Sequence, residues 1–296
     1  MKRISLILSF VITTSVLFAS NPEGDTAWKS KYEVSVSLSQ TTFSNWAAGG
    51  ENAFTANGML NIFKDYAKGK VAWNNYFGVA YGLSRLEKAT PQLRKVNDKI
   101  NLVSKAGINA WGKWDYAALF EFRSQFDKGY NYPDADNYIS KFLAPGYFQF
   151  SLGMNYKPVP YFSVFVSPIG ARLTLVNDTK LTNREEGAYG IFNGNTTLWQ
   201  VGGSVNAVFK KDIMKNVNWM SKLDLFSDYR NEPQKIIVGW ENNFLMKVNK
   251  YISVSLETML IRDHNILFVK SNGDKEARFQ FRETFGVGLA YSFATK

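Results

Sequence analysis

The chain has 296 residues, a formal net charge of +10, no cysteine and one histidine. The missing cysteine excludes disulfides, thiolate metal sites and a lipid-anchored N-terminal cysteine. The basic balance suits nucleic acid, anionic lipid or polysaccharide, and the 16% of aromatic residues favours strands and membrane–water interfaces.

The first twenty residues, MKRISLILSFVITTSVLFAS, place Lys2 and Arg3 before an apolar run that ends in small residues. This pattern predicts a secretory signal peptide over residues 1–20, because the run is short of the roughly 20 residues that span a membrane as a helix. Residues 21–31 form a short lead. An exported chain rarely meets nucleic acid, so that class is set aside. No later segment is apolar enough for a membrane helix. A barrel stays open, because each of its strands faces lipid on one side only.

From residue 32 to 296 the dominant period is two. In KINLVSKAGINAW, Ile100, Leu102, Ala106 and Ile108 share one face, and Lys99, Asn101, Lys105 and Asn109 share the other. Twelve such segments begin near Tyr32, Ala53, Lys70, Asn97, Lys113, Gly146, Tyr161, Thr196, Asn216, Lys235, Tyr251 and Phe279. Most exceed the soluble norm of about 5–6 residues and suit a tilted bilayer crossing of about 9–11. The connections alternate between long and short, with long ones at 44–52, 85–96, 127–145, 177–195 and 262–278. An outer-membrane barrel has short turns at one rim and long loops at the other. The expectation is an all-β, up-and-down transmembrane barrel of about twelve antiparallel strands. An open sheet edge is not tolerated in lipid, so the first strand must pair with the last.

Lysines crowd the short connections: Lys64, Lys68, Lys70, Lys113, Lys157, Lys210, Lys211, Lys215, Lys247 and Lys250. Such lysines either keep turns solvated and unpaired, the simpler expectation, or form a ring that meets anionic headgroups of outer-membrane lipid. Two residues, Asn75 and Glu283, fall on the lipid-side register, and Pro168 inside a strand predicts a bulge or a kink.

The face opposite the apolar one carries the candidate lumen charges Lys99, Lys105, Asp115, Glu121, Arg123, Lys222, Asp224, Glu241, Glu257 and Arg282, and Lys247 near a short turn. They line either a water-filled channel or a lumen filled by ion pairs; large residues on the same face (Tyr76, Met220, Phe226, Met259) favour the filled one. No catalytic constellation stands out. His264 beside Asp263 in RDHNI reads as a solvated loop residue. Asp134, Asp136 and Asn137 read as a polar turn rather than a calcium loop, for want of a glycine and a bidentate glutamate at the right spacing. No cofactor or metal is expected.

The stretch SNWAAGGENAF at 44–54 becomes the first outward connection, with Gly49 and Gly50 free to adopt positive φ. Its sharper reading folds it inward, with Glu51 meeting a lumen arginine such as Arg123 or Arg282. Asn45, Trp46, Gly49, Gly50 and Glu51 resemble the signature of a family of secreted Gram-negative proteins catalogued as domain of unknown function 3078 (DUF3078). The resemblance implies a signal peptide and an outer-membrane barrel, and no known activity. The C-terminal GVGLAYSF, with Gly288, Tyr291 and Phe293, resembles the targeting signal read by the barrel-assembly machinery, with departures at Gly286 and in the trailing Ala294, Thr295 and Lys296.

The expected function is an outer-membrane protein acting as a porin-like channel for small polar solutes or as an accessory of an envelope complex. The alternatives are a lipase- or protease-type enzyme at the outer rim and a soluble periplasmic polysaccharide-binding protein. The oligomeric state stays open.

Overall fold

A computed structural model describes residues 27–42, 52–185, 187–249, 252–269 and 274–295. The expected signal peptide, most of the lead, and Asn45, Trp46, Gly49, Gly50 and Glu51 lie outside the described residues, as do the side chains of Tyr291 and Phe293.

Twelve antiparallel strands form the wall: β1 Trp28–Thr41, β2 Ala53–Lys68, β3 Val71–Leu86, β4 Leu93–Trp111, β5 Trp114–Ser124, β6 Gly146–Val159, β7 Phe162–Leu175, β8 Thr197–Met214, β9 Val217–Asp228, β10 Ile237–Lys247, β11 Ile252–Arg262 and β12 Gln280–Thr295. Each pairs with its chain neighbours, and β1 closes on β12 in a register that runs from Ser30↔Thr295 to Ser37↔Gly288. Gly288 makes that closure possible: a Cβ there would come within 2.4 Å of the Val36 carbonyl oxygen.

The burial pattern is the reverse of a soluble protein's. Large apolar side chains such as Val36, Leu38, Phe150, Leu152, Ile169, Phe281, Phe285 and Leu289 are exposed on the outside. Asn61, Asn101, Glu121, Ser151, Asn155 and Arg172 are buried within. A closed sheet with an oily exterior and a polar interior is stable only with lipid around it. This excludes the soluble periplasmic alternative, which would need the apolar faces turned inward. An aromatic girdle runs along the short-turn rim, carried by the pairs Trp28–Tyr66, Trp28–Trp73, Trp111–Tyr116, Trp114–Tyr156, Phe209–Trp219 and Trp219–Phe244, with centroids 4.6–6.2 Å apart. The outward Asn75 is not stranded: Asn75 donates to the Lys64 carbonyl, Ser104 donates to Asn75, and Trp73 donates to Ser104.

The strands start close to the positions expected from alternation. The first and fourth begin four residues early, at Trp28 and Leu93. The third and fourth strands pair out to Arg85↔Leu93, so the connection expected to be long at 85–96 shrinks to 87–92. Its flanks carry Arg85, Arg94 and Lys95 because the strand ends rise beyond the apolar band, where neither face needs oily side chains. The tight connection after β4 occupies 112–113, with Gly112 at φ +55°.

Pro168 produces the expected bulge. On the β8 side the register jumps from Gly202↔Gly170 to Ser204↔Ser167, and on the β6 side from Leu152↔Ile169 to Met154↔Val166. The Ser167 hydroxyl reaches the carbonyls of Leu152 and Ile169 at 2.8 and 2.7 Å, supplying the donor that proline lacks.

Candidate functional site

Alternation along each strand aims one set of polar side chains inward, and the barrel's closure brings sets from distant strands together. At mid-height they form a layer of ion pairs. Lys99 on β4 reaches Glu241 on β10 at 2.8 Å, and these strands are diametrically opposite in the ring. Lys222 on β9 sits 2.8 Å from Glu121 on β5 and 3.1 Å from Asp224 on its own strand. Arg123 lies 3.6 Å from Glu121. Asn206 donates to Asp224, and Arg282 on β12 donates to Asn97 on β4 at 3.1 Å. Pairing across the lumen offsets the desolvation of each charge and draws opposite walls together.

The free volume is divided on either side of this layer. Towards the short turns lies a vestibule of about 380 Å³. It is bounded by Phe63, Val103, Leu119, Tyr161 and Val208, with Lys105, Lys157 and Lys210 among them and Lys222 and Glu241 at the layer. A smaller cavity of about 50 Å³ holds Lys99, Glu257 and Arg282. Another of about 90 Å³, towards the loops, holds Arg123, Tyr147, Arg172 and Asp263.

At the loop end, Arg172 on β7 reaches across to Asp263 at 2.8 Å, both nearly buried. Asp263 also accepts from the Asn265 backbone and side-chain nitrogens. Burial opposes its charge, but Arg172 and these donors hold the carboxyl below its usual range. With its oxygens taken by Arg172 and Asn265, Asp263 does not orient His264, and the catalytic reading gains nothing from the pair's adjacency.

The loops 125–145 and 176–196 fold into a cap with its own small core of Ala144, Val176, Leu181 and Ile191. Asp178 N-caps the one-turn helix Thr179–Thr182 by accepting from Lys180, and takes the Tyr138 hydroxyl at 2.6 Å and Lys141 at 2.8 Å. Burial would raise its pKa; the Lys141 ammonium, the Tyr138 hydroxyl and the Lys180 N–H overcome that and lower it to about 2. Asp134 accepts from the backbone of Asp136 and Asn137 and from the Asn137 side chain, a self-contained turn. Among the described residues, no group of three acidic or histidine side chains is placed to hold a metal ion.

Of the candidate lumen charges, Lys99, Glu121, Arg123, Lys222, Asp224 and Glu241 are brought into one layer. Glu257 and Arg282 line the cavity beside it. Lys105 and Asp115 meet lower down through Asn155, at 2.9 and 3.4 Å. Gly288 sits at the closing seam. Lys247, on the lumen face by alternation, does line an interior cavity; the sequence reading missed that Lys157 and Lys210, assigned to solvated turns, line such cavities too. Their register was the available signal: Lys157 shares parity with Ser151 and Asn155, and Lys210 with Asn206 and Val208. Arg172 was missed because the Pro168 bulge resets the parity of β7.

The model of a family described as protein of unknown function (DUF3078) matches residues 38–130. No curated protein matches the chain. Among solved structures, the translocator domain of autotransporter NalP from Neisseria meningitidis is similar at 11% identity and a TM-score of 0.36, over 92% of this chain and 90% of that one. An outer-membrane channel from Pseudomonas putida F1 is similar at 8% identity and a TM-score of 0.40, over 93% and 100%. The outer-membrane channel DcaP of Acinetobacter baumannii is similar at 9% identity and a TM-score of 0.32, over 90% and 96%. The chain is thus similar to the DUF3078 family from the outer part of β1 to the start of the β5–β6 loop, the span that contains SNWAAGGEN.

Proposed function

We propose that the protein resides in the outer membrane as a gated channel for small polar solutes, held shut at rest by its mid-height layer of ion pairs. In this reading residues 1–20 are removed on export. The barrel-assembly machinery then inserts the chain through its terminal strand, with Gly288, Tyr291 and Phe293 as the signal. The observation that carries the gating is the Lys99–Glu241 pair joining opposite strands. Such a pair bars the path along a diameter, and its parting by side-chain rotation would clear that bar.

Single-channel recording in planar bilayers tests this. The wild-type protein is expected to be silent or to open rarely. Lys99→Gln combined with Glu241→Gln is expected to raise open probability at least tenfold while the barrel keeps its heat-modifiable migration on gels. An intact double variant as silent as the wild type would refute the gate.

A further inference from the structure

The vestibule below the ion-pair layer has an unusual combination of walls. Three lysines enter it below the layer, and none of them forms an ion pair within 4 Å among the described residues. Lys105 is held by a neutral group, the Asn155 side-chain oxygen, at 2.9 Å. Lys210 lies 3.9 Å above the ring of Phe63. Lys157 has no acidic partner among the described residues. Of the two acids in the lining, Glu241 is paired with Lys99 at 2.8 Å, while Asp65 accepts from the neutral Asn74 at 2.7 Å and keeps its charge near the short-turn rim.

Between the lysines the surface is apolar and firm. Val103 and Leu119 line the cavity there, backed by the almost wholly buried Phe165 and by Ala117. Phe63, Tyr161 and Val208 complete the lining. The space of about 380 Å³ falls in the size range of small-molecule sites, and its mixture of apolar wall and a few placed polar groups is their usual composition. A cation removed from bulk water attracts an anion more strongly than it would at a surface, and an apolar body gains by leaving water against these walls.

We propose that this vestibule is a binding site for a small amphipathic anion, its acidic group held between Lys157 and Lys210 and its apolar body laid against Phe63, Val103 and Leu119. This goes beyond the gated-channel reading, since binding from the short-turn side requires no passage through the layer.

Isothermal titration of the protein in zwitterionic nanodiscs, with empty nanodiscs as blank, tests the proposal without any measurement of current. Three probes are compared: 4-phenylbutyrate; 4-phenylbutan-1-ol, with the same body and no charge; and inorganic phosphate, with charge and no body. The expected result is one 4-phenylbutyrate per barrel, bound at least tenfold more tightly than either other probe. Lys157→Gln with Lys210→Gln is expected to weaken 4-phenylbutyrate at least tenfold and leave the alcohol unchanged. Binding of the alcohol or of phosphate as tight as that of 4-phenylbutyrate overturns the proposal. So does an absence of binding, or a double variant that keeps its heat-modifiable migration and binds as the wild type does. Should the double variant fail to fold, the three-probe comparison on the wild type decides alone.

Discussion

At mid-height Lys99 and Lys222 each end 2.8 Å from a carboxylate, while nearer the short turns Lys210 ends on an aromatic ring and Lys105 on an amide. All four obey the same inward parity on their strands. What separates them is the opposite wall. Across from Lys99 stands Glu241 and across from Lys222 stands Glu121, so the charges there are consumed in holding the barrel together. The vestibule sets Phe63, Val103 and Leu119 in the corresponding places, and its lysines keep their capacity to bind. One residue type in one register does structural work or stands ready for a ligand according to what faces it.

The most severe way to break this contrast is to remove the carboxylate on which two cations converge. Glu121→Ala strands Lys222 and Arg123 in a buried layer; losing one partner of such a pair costs about 3 kcal/mol. Urea unfolding followed by the heat-modifiable shift should show it. A loss under about 1 kcal/mol would mean that the layer is well hydrated and its charges are no more committed than those below.

A second steric test lies in the wall itself. Gly202 on β8 sits beside the Pro168 bulge, and a Cβ there would fall 1.8 Å from the Ser227 carbonyl oxygen. Gly202→Ala should destabilise the barrel by about 2 kcal/mol through forced separation of β8 and β9. Unchanged stability would show that the two strands can part there without cost, and that the lumen contacts alone set the barrel's rigidity.

The cap offers a paired charge outside the membrane. Asp178 in the folded protein titrates at about 2, below its ordinary value of about 3.9. A depressed carboxylate contributes stability that is fully present above the unfolded value and is lost as pH falls through the folded one. The join between the 125–145 and 176–196 loops should therefore hold at pH 5 and loosen towards pH 2. Lys141 is about a third exposed, so the effect is screened to about 1 kcal/mol. Amide exchange at 138–144, corrected for intrinsic rate, reads it, and Asp178→Asn should reproduce the low-pH pattern at pH 5. Equal protection in wild type and variant would sever the link between this carboxylate and the cap.

Much of the wall was legible because lipid imposes a strict rule on every second residue, so the number of strands and most of their starts follow from alternation; closure follows from the cost of a free edge in lipid, and the bulge from the donor that Pro168 lacks. The rule fades where strands leave the apolar band, which is why 87–92 looked longer than it is. The lumen is less legible. Alternation says that Lys99 and Glu241 face inward, but their meeting depends on the stagger of twelve strands, which sets the height of each side chain. Composition also misled: a lysine near a tight turn reads as solvent-facing, whereas Lys157 and Lys210 are turned in by the parity of β6 and β8. The cap has no periodic signal at all, since its contacts are made by two irregular loops that meet only once the barrel has closed.

The smallest expected effect is on the other side of the contrast. Lys157 enters the vestibule with no carboxylate to lose among the described residues, so Lys157→Met should change stability by no more than about 0.5 kcal/mol, in the manner of an exposed substitution. It also removes a charge that Lys105 and Lys210 face across the same space, so a slight stabilisation is the more natural sign. Set beside Glu121→Ala in the same urea assay, the ratio of the two effects measures how differently the two layers use charge. A loss at Lys157→Met comparable to that at Glu121→Ala would show that the vestibule lysine is structurally committed after all, and the distinction between a closing layer and a receptive one would fall.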